Sequence, residues 1–452
     1  MFRLFVLTHT LARVLAVGVS VGLTAAPTIA LAQASDDVKT PSRDALARRG
    51  REVVVKAQCN RCHEITGGLA AFKREMHCVN CHTWILGTKG KPEEIARQRQ
   101  DFPDWDRYLE SVVHFTRLPD LGTLARRVRP SAIRAFLDAP RDLRPHLDES
   151  MIPLRLGAAD KDAVVAWLTA LAGPDATPDE AAPTVTDTAR IEAGRAVFVS
   201  RACPTCHVFG NTRFQPAFNV AFYKTMGEAA KLAPNLRFAR ERMSRGTFVR
   251  FVQDPQAVDP SVSMPKLGVT PGEAEQLADF VFGAEPDLTA AAGAGLAEPG
   301  AVPEVPVLAR AVPFDEVFDE VLGKICVHCH MDPASNAGDG GAGNTGGLGF
   351  AGKRLSLESY ASVARGVLRD GKRVSIVKPG PGGAPPLLLE SLLRRHREAS
   401  RDQRPAFADQ AGEGVSVDPA APGMPLGLPA LSVSQMSLVK TWLAQGAPGP
   451  AK

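Results

Sequence analysis

Cys59-Asn-Arg-Cys62-His63 and, a little further on, Cys78-Val-Asn-Cys81-His82 place two C-x-x-C-H units in one short stretch. Two more follow, Cys203-Pro-Thr-Cys206-His207 and Cys326-Val-His-Cys329-His330. The chain has 8 cysteines, and these units use all of them. A lone C-x-x-C suits a zinc knuckle, a redox dithiol or a disulfide. Zinc sites pair two such units, or one unit with a spaced histidine pair, and need no histidine directly after the second cysteine. Here histidine follows every time. That spacing is the attachment signature of c-type haem. The cysteines become thioethers on the haem vinyl groups, and the histidine ligates iron from the proximal side. The expected cofactor is therefore four covalent haems c, with His63, His82, His207 and His330 on the irons.

The composition is globular, with 44% apolar and 23% charged residues. High Gly and Pro contents point to loops and linkers. The 452 residues allow about three domains. Residues 1–34 read as a secretory signal peptide. Arg3 and Arg13 form its positive region, Val14 to Leu31 its apolar run, and Ala30-Leu31-Ala32 or Ala32-Gln33-Ala34 its cleavage site. Gly18, Ser20, Gly22, Thr24 and Pro27 interrupt that run and disfavour a retained anchor. No other stretch approaches the roughly 20 apolar residues of a membrane span. The expectation is a periplasmic protein without a transmembrane segment in the mature chain. The net charge of +4 includes Arg3 and Arg13, so removing both leaves +2, which is no nucleic-acid footprint. The basic clusters (Arg126, Arg127 and Arg129; Arg237, Arg240, Arg242 and Arg245; Arg394, Arg395 and Arg397) read as solvated helix faces, with pairing to haem propionates or a docking patch for an acidic redox partner as the alternatives.

Aligning the C-x-x-C-H units exposes an internal repeat. Each copy has a leading helix, the haem unit, a long loop, a methionine near a proline and a closing helix. The first copy, 40–173, starts at Ser42, a helix N-cap, with Leu46, Gly50, Val53 and Val54 on the buried face. It ends with Met151-Ile-Pro153 and a helix through Trp167. The second, 190–284, carries Gly194-x-x-x-Phe198, Ala233-Pro-Asn-Leu236, Met264-Pro265 and a helix through Phe280. Leu118-Pro-Asp-Leu121 matches the Pro-Asn-Leu stretch. The third, 313–449, runs from Phe314 through Met424-Pro425 to a helix containing Trp442. Residues 174–189 and 285–312 read as flexible linkers. Gly341-Ala-Gly343-Asn-Thr-Gly346 matches a nucleotide-loop pattern but follows no strand, so a surface loop is expected.

The second copy resembles a class I c-type cytochrome domain, on Gly194-x-x-x-Phe198, C-x-x-C-H, Pro-Asn-Leu, Met264-Pro265 and Phe280. The third is similar to the variant cytochrome c domain common in planctomycetes. That likeness rests on Gly346-Gly-Leu-Gly-Phe350, Leu355-Ser-Leu-Glu-Ser-Tyr360 and Trp442-Leu-Ala-Gln-Gly-Ala447-Pro448. It departs by Val317 where the helix glycine belongs. The first copy departs by Met-Ile-Pro and by a second haem unit inside its loop. The resemblance implies a mainly α fold, three tandem cytochrome c-like helical domains wrapped around covalent haems with long loops and flexible linkers. It also implies crossed terminal helices, with glycine letting the aromatic helix approach.

Methionine opposite histidine gives a high-potential site suited to electron transfer. Met151, Met264 and Met424 stand at equivalent repeat positions and are the expected distal ligands of the Cys59, Cys203 and Cys326 haems. The Cys78 haem has no repeat-supplied ligand. His114 on a helix over 105–115 ranks first, ahead of His77, Met76 and His146. His328 and His396 read as surface residues. The expected function is outer-sphere electron transfer between redox proteins such as a dehydrogenase, an oxidase or a small cytochrome. The alternative is a peroxidase- or reductase-like haem enzyme, or a gas sensor, with an open iron at Cys78–His82.

Overall fold

The structure, a computed structural model, describes residues 41–451 apart from 142, 145, 146, 148, 150, 215–224, 289–301, 336–339, 346, 348–351 and 403–420. The signal-peptide region and His146 lie outside the described residues. The chain is mainly helical. Its longer helices are α1 (Arg43–Lys56), α2 (Cys78–Gly87), α3 (Pro92–Asp101), α4 (Trp105–Ser111), α5 (Pro130–Asp138), α6 (Ala158–Ala172) and α7 (Thr188–Ser200). Then come α8 (Arg245–Gln253), α9 (Pro271–Gly283), α10 (Phe314–Cys326), α11 (Tyr360–Arg365), α12 (Leu387–Asp402) and α13 (Val433–Ala444). Among the described residues the one sheet is an antiparallel ribbon of β1 (Val367–Arg369) and β2 (Lys372–Val374), with Val367 opposite Val374.

In the first two copies the leading helix crosses the closing helix at a glycine. A Cβ on Gly50 would lie 1.9 Å from the Ala163 carbonyl oxygen of α6 and 2.7 Å from Trp167 Cβ. A Cβ on Gly194 would lie 1.9 Å from the Gln276 carbonyl oxygen of α9 and 2.8 Å from Phe280 Cβ. Any side chain would force the helices apart. The third copy solves the problem differently. Val317 is fully buried, and α10 meets α13 through Phe314 and Trp442, whose ring centres are 6.0 Å apart. From Phe318 to Cys326 α10 widens to π-helical turns and delivers Cys326 from its last turn.

Local signals set the helix ends. Ser42 Oγ accepts from Ala45 N at 3.2 Å. Thr270 and Ser432 form capping boxes with Glu273 and Gln435 at the starts of α9 and α13. The expected helix over 105–115 stops at Ser111. Val112 is extended and Phe115 takes φ 52°, its N–H donating to Glu149. Four apolar cores result among the described residues. Each copy has one: Val54, Ile65, Trp167 and Leu168; Phe198, Phe209, Phe248 and Phe280; Phe314, Val317, Met436 and Trp442. The loop insertion of the first copy has its own, of Ile85, Trp105 and Val112. There the Trp105 indole N–H donates to Thr88 Oγ1 at 3.2 Å, and Arg74 stacks 3.6 Å above Trp84.

The stretches expected to be flexible linkers are mostly exposed where they are described, but single residues pin them to the neighbouring cores. Thr177 is buried, with its hydroxyl 2.6 Å from Thr247 Oγ1 and its N–H donating to Ala125 O at 2.8 Å. Val305 and Val312 belong to the third core, and Leu308 N donates to Thr441 Oγ1 at 2.8 Å. Hydrogen-bonding side chains spaced along Pro-rich sequence anchor segments that composition alone reads as free.

Gly194→Val should destabilise the purified protein by about 3 kcal/mol or more through overpacking. Gly272→Ala, on the same α9 contact partner but with nothing within 4 Å of the new Cβ, should change stability by less than about 1 kcal/mol. Denaturant unfolding of both variants checks this; equal midpoints for Gly194→Val and the unmutated chain would refute the crossing.

Candidate functional site

The C-x-x-C-H units sit on local structure that differs between copies. Cys59–Arg61 and Cys203–Thr205 are short 3-10 turns entered through left-handed residues, Gln58 at φ 57° and Ala202 at φ 56°. Cys78 instead opens α2, and Cys326 closes α10. Burial dominates the thiols. Desolvation pushes Cys59 up to about 11, and Cys203 and Cys326 up to about 12. Such thiols are protonated at neutral pH and are poor nucleophiles.

Three of the four histidines are held in one way. Nδ1 of His63 donates to Pro119 O at 2.9 Å, His207 to Pro234 O at 2.9 Å, and His82 to His114 O at 2.7 Å. A carbonyl only accepts, so the proton is on Nδ1 and the lone pair on Nε2 is free to ligate a metal. Burial lowers the pKa of His63 and His82, against the opposing pull of these carbonyls. Both rings are therefore neutral near pH 7.

The proline carbonyls are themselves positioned by matching contacts. Asp120 Oδ1 accepts from Thr66 N at 3.1 Å and Gly122 N at 2.8 Å. Asn235 Oδ1 accepts from Gly210 N and Arg237 N, each at 3.1 Å. Leu121 N donates to Glu64 O and Leu236 N to Val208 O, both at 2.9 Å. The matched Pro-Asp and Pro-Asn stretches were visible in the sequence; their role as histidine acceptors was not. His330 departs from the pattern. Its Nδ1 is buried without a hydrogen-bond partner among the described residues, and burial pushes its pKa down to about 4. The glycine run packs on it: a Cβ on Gly343 would lie 2.8 Å from His330 Cε1.

A cavity of about 640 Å³ tests whether the second copy suits the expected group. Cys203, Cys206, His207 and Met264 share its wall, with Phe248 and Leu277 among its apolar lining. That volume lies in the usual range for an organic ligand. Both cysteines and both expected axial residues thus face one mostly apolar space, and the residues fit a haem. Arg127, Arg144 and Arg242 also line it. Burial, then the charges of Arg127 and Arg144, lower Arg242 to about 9. An anionic group such as a haem propionate would relieve that cluster. Arg127 already has one carboxylate, Asp259 Oδ2 at 2.6 Å. Arg127 and Arg242 belong to basic clusters whose sequence reading is solvated faces, with propionate pairing as an alternative; Arg144 lies outside those clusters, and only the fold brings the three to one cavity.

The other expected ligands are placed as follows. Met151 is half-buried in the irregular stretch before α6. Met424 is half-buried against the third core, and its N–H donates to Ser391 O at 2.9 Å. His114 does not lie opposite His82. Its carbonyl receives the His82 proton, and its own Nδ1 is 3.2 Å from Glu149 Oε2. The His114 carbonyl thus takes the place that the Pro119 and Pro234 carbonyls hold at the other two histidines. His77 is fully buried, and its Nδ1 accepts from Asn80 N at 3.1 Å as the cap of α2. That leaves the proton on Nε2 of the neutral ring and removes the lone pair a metal would need. Met76 is half-buried at the end of a 3-10 turn. His328 and His396, expected at the surface, each have a buried Nε2 without a hydrogen-bond partner among the described residues.

The units cluster. Cys62 Sγ and Cys78 Sγ are 3.5 Å apart. The His328 ring centre is 6.5 Å from that of His82. The cavity at Cys203 reaches Pro119 and Asp120, which flank His63 from outside.

Burial would raise the pKa of Asp259, but the Arg127 charge and hydrogen bonds from Ser261, Arg127 and Thr123 outweigh it and hold it below the ordinary carboxylate range. A depressed carboxylate stabilises the fold above its unfolded pKa, near 4, and loses that contribution as pH falls through the folded value. Asp259→Asn should therefore flatten the acid limb of the stability–pH curve. It should also cost about 3–5 kcal/mol at pH 7, because Arg127 loses its buried partner. An unchanged acid limb in urea titrations at several pH values would contradict this. In comparisons with known proteins, no family model, curated protein or solved structure matches the chain.

Proposed function

We infer that the chain is a periplasmic, exported tetrahaem c-type cytochrome of three cytochrome c-like helical units that carries electrons between redox proteins. The observation that carries this reading is one cavity shared by Cys203, Cys206, His207 and Met264, with the His207 tautomer set for ligation by Pro234. Two further histidines, each following a C-x-x-C pair, repeat that tautomer through Pro119 and His114.

In this account the eight cysteines hold four haems, and His63, His82, His207 and His330 are the proximal ligands. Met264, and at the equivalent repeat positions Met151 and Met424, would be the further ligands of the third, first and fourth haems. His114 acts through its carbonyl on His82 and is no longer assigned to an iron. Bound haem supplies the Fe(III)/Fe(II) couple, and axial-ligand identity and burial tune its potential. The protein residues hold the rings, exclude water with apolar walls and fix the separation of the units. The near-balanced charge disfavours nucleic acid. Among the described residues no helix is long and apolar enough to cross a membrane. Partners fitting this role are a dehydrogenase, an oxidase or a small cytochrome.

The displacement of His114 favours one rival, a haem enzyme or gas sensor with an open iron at Cys78–His82. Carbon monoxide separates the two, because it needs a free or weakly held sixth position. The electron-carrier reading expects reversible uptake of four electrons per chain and a reduced spectrum unmoved by carbon monoxide. One carbon monoxide bound per chain together with turnover of peroxide or nitric oxide would overturn it.

A further inference from the structure

With His114 and His77 committed to other contacts, the remaining described candidate of the first copy is Met76, half-buried in the turn just before Cys78. The third copy reaches the second haem unit. Arg107 of α4 pairs with Asp319 of α10 at 3.2 Å and lies 4.8 Å over the Phe318 ring. Thr345 Oγ1 donates to Gln58 Oε1 at 3.0 Å beside the first unit. These contacts dock the Cys326–His330 turn against the first copy. They bring in His328, the interior residue of the fourth C-x-x-C-H unit. Its ring sits 6.5 Å from that of His82 at an interplanar angle of 81°, and 5.2 Å from the Tyr108 ring.

Two features suit His328 to a metal. Its Nδ1 points to Ile325 O, at 3.4 Å, so the proton belongs there. Its Nε2 is buried and has no hydrogen-bond partner among the described residues. An unpaired buried acceptor is costly unless something occupies it. The spacing also fits. An imidazole nitrogen about 2 Å from a metal puts the ring centre about 3 Å away, so two imidazoles sharing one metal have centres about 6 Å apart. His82 turns Nδ1 to His114 and keeps Nε2 for the iron.

We propose that His328, supplied by the fourth haem unit, is the sixth ligand of the Cys78–His82 haem, making that iron bis-histidine and tying the first copy to the third. The Nε2 lone pair of neutral His328 forms the bond, with no change in oxidation state. This assignment rests on the four-haem reading above. Two haem units then share one loop: Cys326, Cys329 and His330 hold the fourth haem while the residue between the cysteines closes the second. Bis-histidine ligation lowers a potential relative to histidine–methionine ligation. The second haem would then be the low-potential member of the set.

The test uses the full haem-loaded protein with His328→Ala, His328→Met and, as control, His396→Ala. Each His328 variant keeps the attachment motif, so haem content by mass should stay at four. In the wild type, paramagnetic resonance and near-infrared magnetic circular dichroism should show one bis-histidine haem among three histidine–methionine haems. His328→Ala should make one haem per chain high-spin and able to bind one carbon monoxide, with added imidazole restoring the low-spin signal. His328→Met should convert the bis-histidine signature to histidine–methionine and raise one of the four midpoint potentials. His396→Ala should change none of these. Four haems with no bis-histidine signature in the wild type would overturn this assignment alone. So would a His328→Ala protein that stays fully low-spin and refuses carbon monoxide. Fewer than four haems in the wild type would overturn the underlying reading and this assignment with it.

Discussion

The hydrogen bond from a histidine Nδ1 to a backbone carbonyl organises much of this structure. At His63 and His207 the acceptor is a proline carbonyl, and a proline has no N–H to compete for local partners. The residue after each proline, Asp120 or Asn235, then ties the loop back to the strand of chain leaving the histidine. The loop therefore cannot shift without turning the ring, and the ring cannot turn without freeing a buried donor. A net hydrogen bond contributes only about 1 kcal/mol, but an orphaned buried partner costs more. That asymmetry makes the arrangement rigid. In the insertion the same bond recurs with the His114 carbonyl, although α2 and its short aromatic core share no other local geometry with the 3-10 turns of the first two copies.

Helix crossing supplies the second constraint. Gly50 and Gly194 allow backbone contact that brings Trp167 and Phe280 over the interior. Phe280 then meets Phe198 and Phe209 with ring centres 5.2 and 5.1 Å apart. Aromatic pairs of this kind are worth about 0.5–1.5 kcal/mol beyond the area they bury. Val317 breaks the rule in the third copy, and there side chains rather than backbones meet, beside a π-helical stretch that carries Cys326 to its position.

Much of this was legible in the sequence, because it depends on local spacing. The capped helices, the two glycine crossings, the repeated Pro-Asp and Pro-Asn stretches and the pairing of C-x-x-C-H with Met264 all follow from residues close together or repeated at one period. What was not legible depends on contacts between copies. The docking of Thr177 on Thr247, the approach of Arg242 to Arg127 and Arg144 around one cavity, and the approach of His328 to His82 join segments more than 60 residues apart. His114 shows the limit well. Its place beside the second C-x-x-C-H unit follows from the sequence, but whether its ring or its carbonyl meets His82 is decided by where the chain turns at Phe115.

The arrangement of units gives the account its functional shape. The first and second units meet at Cys62 and Cys78 and the fourth approaches the second through His328 and His82, while the third borders a cavity whose wall includes Pro119 and Asp120. In the proposed reading no unit is isolated, and an electron entering at any haem has a neighbour within the same body. Everything in that account depends on the cysteines being haem thioethers. Intact mass spectrometry of the protein, purified after export from a host that matures c-type cytochromes, tests this most directly. The account predicts a single mature species heavier than its polypeptide by four haems. A mass equal to the polypeptide alone, with eight alkylatable thiols, would contradict it.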